Sequence, residues 1–135
     1  MKKHLIQAAE RGDAEAQFNL AVMYENGLVD SRYVAEGNHS EAVRWFLAAA
    51  EQGLARAQVK LAEIYAGEPE MPDNSVKACE WYLLAARGLR GMHLQQAQTA
   101  YQRAAIYLTQ VQTAEVMRFV QGWKAKQPPR AMSAD

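Results

Sequence analysis

An all-α fold of helix-turn-helix units in series is predicted by three observations: one helical pattern written twice, small residues at its packing positions, and few helix breakers. In AEAQFNLAVMYENG, residues 14–27, the residues Ala16, Gln17, Leu20, Ala21 and Tyr24 recur as Ala57, Gln58, Leu61, Ala62 and Tyr65 at a constant offset of 41. A second set, Ala42, Trp45, Ala49 and Ala50, returns as Ala78, Trp81, Ala85 and Ala86 at an offset of 36. Each repeat therefore holds two helices, and the five-residue difference between the offsets marks an insertion in the first connection, GLVDSRYVAEGN. Alanine supplies 25 of the 135 residues, which lets helix backbones approach closely while Tyr and Trp rings fill the remaining space. The four prolines sit in one loop (Pro69, Pro72) and in the tail (Pro128, Pro129), so the helices run unbroken between them.

Taken in order, the first helix is expected near residues 2–11, as the end of a repeat whose beginning is missing. Gly12, Gly53 and Gly88 follow the Ala-Ala helices and fit the left-handed conformation that stops a helix and turns the chain. Ala16, Leu20 and Tyr24 fall on one stripe of a 3.6-residue helix, as do Ala42, Trp45 and Ala49. Asn38 with Glu41 reads as an N-cap and capping box for the helix that follows the insertion. Leu94 to Leu108 reads as a further helix that matches the repeat poorly, with Ala97, Ala100, Tyr101, Ala104 and Ala105 apolar. Thr109 with Gln112 forms a second capping box and opens a final helix with the stripe Val116, Phe119, Val120 and Trp123. A terminal amphipathic helix of this kind seals the open end of a repeat array; an apolar dimer face is the alternative. The expected organisation is one domain over residues 1–126: a partial repeat at 1–12, repeats at about 13–53 and 54–88, a degenerate repeat with the capping helix at 89–126, and a loose tail at 127–135.

Composition removes several function classes. No apolar run approaches the roughly 20 residues needed to span a bilayer. The opening MKKHLIQAAERGD turns polar at Gln7 before an apolar signal segment forms, so the chain as written reads as cytoplasmic, with the periplasm open to a mature form or fragment. The single cysteine, Cys79, has no internal disulfide partner and stands where the other repeat has Val43, which suggests a small buried residue and not a nucleophile. His4, His39 and His93 are isolated from any second ligand at metal-binding spacing, so no metal or other cofactor is expected. There is no phosphate-binding glycine loop, no nucleophile elbow and no paired carboxylate arrangement, and the chain is expected not to be an enzyme. Net charge is zero, but residues 1–86 carry 8 Lys and Arg against 13 Asp and Glu, and residues 87–135 carry 7 against 2. The scattered basic third is a poor footprint for nucleic acid; it suits an acidic partner or a second copy, or is simply a solvated face.

The motifs AAERGDAEAQFNLAVMYENG and EAVRWFLAAAEQGLARAQVKLAEIYAG resemble Sel1-like repeats, relatives of the tetratricopeptide repeats, over about residues 4–88. Ala21 and Ala62 stand where that pattern often has Gly, and the turn after the first helix is altered in both copies. The resemblance implies a right-handed α-solenoid whose first helices line the concave side, and a non-catalytic adaptor or scaffold role in bacteria, binding a protein or peptide on that side. Between the two copies, Glu15, Asn19 and Val22 are replaced by Arg56, Lys60 and Glu63 while the packing positions match. Each trio forms a stripe suited to groove recognition of a peptide or helix, and a solvated face is the plainer reading. The insertion adds Arg32, Tyr33 and Val34, a mixture frequent in binding hot spots. Two other readings stay open: a module that self-assembles head to tail through its acidic front and basic back, and a β-lactamase-like enzyme. The latter subgroup relies on paired cysteines, which this chain lacks.

Overall fold

The structure, a computed structural model, describes residues 2–26, 28–29, 32–33, 39–67 and 73–126. These hold seven helices, α1 (Lys2–Glu10), α2 (Ala14–Glu25), α3 (His39–Glu51), α4 (Ala55–Ala66), α5 (Asn74–Arg87), α6 (Gly91–Ala105) and α7 (Gln110–Gly122). A short hairpin, β1 (Leu28–Val29) with β2 (Arg32–Tyr33), lies between α2 and α3. The chain divides into two compact units, one of Met1–Ala57 with Ala125–Asp135 and the other of Gln58–Lys124.

In the first unit α2 packs against both α1 and α3. The reason is visible in what α2 buries: Ala16, Gln17, Leu20 and Ala21, two small and two larger side chains at helical spacing. Phe46 on α3 is fully buried and meets Phe18 edge to face, with ring centroids 5.6 Å apart. Gln17 is buried too, and it is satisfied: its amide donates to the Ala9 carbonyl at 3.0 Å and its oxygen accepts from the Gln52 amide at 3.0 Å. One side chain thus ties α2 to the ends of α1 and α3. Gln17→Leu should remove both bonds, leaving the Gln52 amide without this partner while the Ala9 carbonyl keeps the Gly12 N–H, and cost about 1 kcal/mol, read as a lower urea midpoint with unchanged helical circular dichroism.

The glycine turns follow the expectation at two places and depart from it at a third. Gly12 and Gly53 have φ of 104° and 98°, and the bonds around them are those of a Schellman close. Gly12 N–H donates to Ala9 and Asp13 N–H to Ala8; Gly53 N–H donates to Ala50 and Leu54 N–H to Ala49. Gly88 instead has φ −104°, and α5 ends by tightening its last turn through Gly88 N–H to Ala85 and Leu89 N–H to Ala86. The left-handed glycine in this region is Gly91, at φ 57°, which opens α6.

Capping also divides. Thr109 and Gln112 form the reciprocal box expected of them, with bonds of 2.9 and 3.1 Å. Asn38 lies outside the described residues; Glu41 forms an ion pair with Arg44 at 3.1 Å. Asp13, not singled out in the sequence, caps α2 by accepting from Ala16 N–H.

In the second unit α5 packs against α6 and α7. α5 buries Ser75, Ala78, Cys79, Trp81, Tyr82, Leu84 and Ala85, half of its length, because helices cover it on more than one side. α6 runs three residues earlier than expected at each end and buries only Ala97 and Ala104. The α7 stripe closes over Trp81, whose ring meets Phe119 and Trp123 edge to face, each at 6.4 Å. The Arg87 guanidinium adds a bond to the Val120 carbonyl at 2.6 Å near the end of α7.

The insertion was expected only as a loop. It contains two strand segments paired antiparallel, Leu28 with Tyr33 and Val29 with Arg32. Leu, Val and Tyr favour extended backbone, and the register leaves a two-residue connection, the commonest hairpin length. Val34 lies outside the described residues.

Candidate protein-binding surface

Of the five residues that match between the first helices of the two copies, four are buried in both, and Tyr24 and Tyr65 are half-buried. Ala16, Gln17, Leu20 and Ala21 are buried in α2, and Ala57, Gln58, Leu61 and Ala62 are buried in α4. The residues that differ face outward: Glu15, Asn19, Arg56 and Glu63 are exposed, while Val22 and Lys60 are half-buried. Packing is therefore held constant between the copies while the accessible stripe changes, the arrangement from which a repeat array makes a specific surface.

Within the first unit the structure brings Glu15 and Arg56 together as an ion pair. They occupy equivalent positions of consecutive repeats, so the swap from acid to base produces a contact instead of a repulsion. The Arg56 guanidinium also lies 5.0 Å from the Phe18 ring centroid, a cation over an aromatic face. Glu15, Phe18 and Arg56 make one amphipathic patch with exposed Asn19 one residue beyond the ring. The role of Phe18 as the floor under Arg56 was not singled out in the sequence. Both charges of the pair are more than half exposed, so the pair itself adds little to stability. On α4, Lys60 and Glu63 continue the stripe one and two turns beyond Arg56. Arg32 and Tyr33 are placed on β2 by their backbone.

A sequence profile described as Sel1 repeat matches residues 14–54 and 55–88, more than half of the chain. The chain belongs to the Sel1 repeat family. The first Sel1 repeat therefore comprises α2 and α3 and the second α4 and α5, and repeats of this family are helical solenoid units that generally mediate contacts between proteins. No curated protein and no solved structure matches the chain.

The remaining chemistry is that of a packed interior. Cys79 in the second Sel1 repeat is fully buried, and burial, with the Glu80 carboxylate beside it, pushes its thiol up to about 11. Burial pushes the Tyr82 hydroxyl up to about 12, with Glu63 and Cys79 adding to the rise. The Glu80 carboxyl is also raised by burial, against the pull of Lys77. A thiol held protonated is a poor nucleophile. Unfolding releases both groups to ordinary values, so above pH 9 the unfolded chain sheds protons that the folded chain keeps. Stability should then be fully present below pH 9 and fall as pH rises toward 11, seen as a lower urea midpoint at pH 10.5 than at pH 8. Among the described residues no group of three or more His, Cys, Asp and Glu side chains is placed to hold a metal ion. Among the described residues, no helix is long and apolar enough to cross a membrane.

Proposed function

We propose that this chain is a non-catalytic adaptor that binds a protein or peptide along the outward stripe of the first helix of each Sel1 repeat. The observation that carries this reading is the contrast between the two copies: Ala16, Gln17, Leu20 and Ala21 and their counterparts are buried and identical, and the stripe beside them is accessible and different. On this reading Asn19 and Val22 on α2 offer a polar and a small apolar contact next to the Glu15–Arg56 pair over Phe18, and Lys60 and Glu63 on α4 offer a basic and an acidic contact of their own. A helix or extended peptide is the natural occupant, since residues at steps of three and four read a ligand one turn at a time. Arg32 and Tyr33 on the hairpin are a second place for the same partner to touch.

The test is affinity capture from the lysate of the source organism with wild type and with Asn19→Glu, Arg56→Glu and Lys60→Glu combined, the fold of the variant being checked by circular dichroism. A protein held by the wild type and lost from the variant supports the stripe. The same proteins held by both would exclude it and turn attention to Tyr33.

A further inference from the structure

The second unit holds a concavity of about 360 Å³ among the end of α4, the first half of α5 and the end of α6, lined by Ser75, Tyr82, Arg103, Ala104, Ile106 and Tyr107 with two further alanines. Ser75 and Tyr82 are each only 5% exposed, and neither hydroxyl has a hydrogen-bond partner among the described residues. Neither oxygen is sealed off, a condition that among the described residues falls on Trp45 Nε1, so both open into the concavity that the two residues line. They stand seven residues apart on one face of α5, about 10 Å of helix rise, and helical side chains lean toward the N-terminus, so the Tyr82 ring reaches back toward Ser75. Hydroxyls on buried residues ordinarily find a partner within the protein. Two that face one concavity without a partner form a polar surface with its bonds still to make.

The polar groups of this lining can all donate, and no carboxylate is among them. Arg103 is exposed and has no ion pair among the described residues. The Tyr82 hydroxyl, pushed up to about 12 by burial with Glu63 and Cys79 adding to the rise, stays protonated at neutral pH and donates. Ser75 is the second residue of α5, whose cap Asp73 makes no side-chain bond to the first-turn N–H groups. Donors and one cation call for an anion. The Glu63 carboxylate that acts on Tyr82, and Asp73 just ahead of α5, limit how much negative charge fits, so a monoanion is matched and a phosphate dianion repelled. A carboxylate suits the set, since it takes two bonds from a guanidinium fork and keeps lone pairs for hydroxyls. The remaining wall is apolar: Ile106 and Tyr107, 76% and 58% exposed, with the alanines, surface that gains by being covered. A volume of about 360 Å³ is at the small end for ligand sites and has room for about a dozen non-hydrogen atoms.

We infer that this concavity binds a small organic monocarboxylate with an aromatic or branched aliphatic body, the carboxylate held by Arg103 and the Ser75 and Tyr82 hydroxyls and the body laid against Ile106 and Tyr107. For an acid of about ten non-hydrogen atoms the affinity is modest, with a Kd on the order of 1 mM. The site needs none of Asn19, Arg56 and Lys60, so it stands apart from the proposed partner stripe and its test does not depend on that reading.

NMR titration of the isotope-labelled full chain with phenylacetate, and separately with isovalerate, to about 20 mM at constant ionic strength tests it. With at least one of the two acids, the amides of Ser75, Val76, Tyr82 and Tyr107 are expected to shift and to saturate. Arg103→Gln is expected to weaken binding about tenfold and Tyr82→Phe about threefold or more, with amide positions elsewhere showing that both variants keep the fold. Arg118→Gln, exposed on α7 and outside the lining, is expected to leave binding unchanged. Phenylacetamide, which has the same body as phenylacetate and no charge, is expected to bind about tenfold more weakly. Shifts that fail to saturate with both acids, or that saturate only outside the concavity, overturn the proposal. So does equal affinity for phenylacetamide, or a titration indifferent to Arg103→Gln. Tighter binding of the tripeptide Gly-Gly-Phe than of either acid also overturns it, because the carboxylate would then belong to the end of a chain.

Discussion

Phe46→Ala should lower the stability of the chain by about 3–5 kcal/mol, the range for removing a fully buried aromatic ring. Phe46 has no exposed surface, and its neighbours are chosen to surround it: Ala42, Ala49 and Ala50 on its own helix are buried, and Phe18 on α2 meets it edge to face. Alanines cannot reach into the space the ring leaves, so little of the cavity would close. A domain of this size has about 5–15 kcal/mol in total, so the variant should unfold well below the wild-type temperature. Differential scanning calorimetry checks this; a shift of only a degree or two would show that Phe46 is not central to the α2–α3 packing. Because Phe18 also lies beneath Arg56, the same variant should loosen the surface that Glu15 and Arg56 build.

Trp81→Ala should cost about as much, about 3–5 kcal/mol, but with a different signature. Trp81 is the ring on which Phe119 and Trp123 both lean, and its loss removes the aromatic contact between α5 and α7. The buried Val116 and Val120 and the bond from Arg87 to the Val120 carbonyl remain and hold α7 less firmly than the full cluster. Amides of Gln110–Gly122 should therefore lose hydrogen-exchange protection before those of α2 and α3 do. Uniform loss across the chain would mean that α7 is held by something other than the Trp81 cluster.

Both predictions rest on positions the repeat pattern made legible. Ala42, Trp45, Ala49, Ala78, Trp81 and Ala85 were readable as packing residues because they recur at one offset and fall on one helical stripe, and all are buried. The Thr109 capping box was readable because both of its bonds are local. Gly88 was misread for a related reason. Its place after an Ala-Ala helix matches Gly12 and Gly53, but the tightened last turn of α5 is set by backbone bonds that composition does not distinguish. The hairpin in the insertion was missed because two-residue strands carry too little alternation to be seen against a loop.

Of the candidate surface, the alternation of Glu15 with Arg56 was legible as variation and became a contact only in three dimensions. Arg56 resting on Phe18 needs the turn at Gly53 to bring the start of α4 back along α2, which no local pattern states. Phe119 read as a packing residue of the α7 stripe, yet it is more than a third exposed while it leans on Trp81. Periodicity marks which residues share a face and is silent on whether anything covers it.

The central claim, that the variable stripe is where a partner binds, is tested most directly by photo-crosslinking. A benzophenone amino acid placed at Asn19, with a second version placed at exposed Gln98 on α6, would be irradiated in the source organism's lysate and the products identified by mass spectrometry. A discrete adduct from position 19, absent from position 98 and suppressed by Arg56→Glu, is the predicted result. Adducts from position 98 alone, or equal labelling from both, would contradict it.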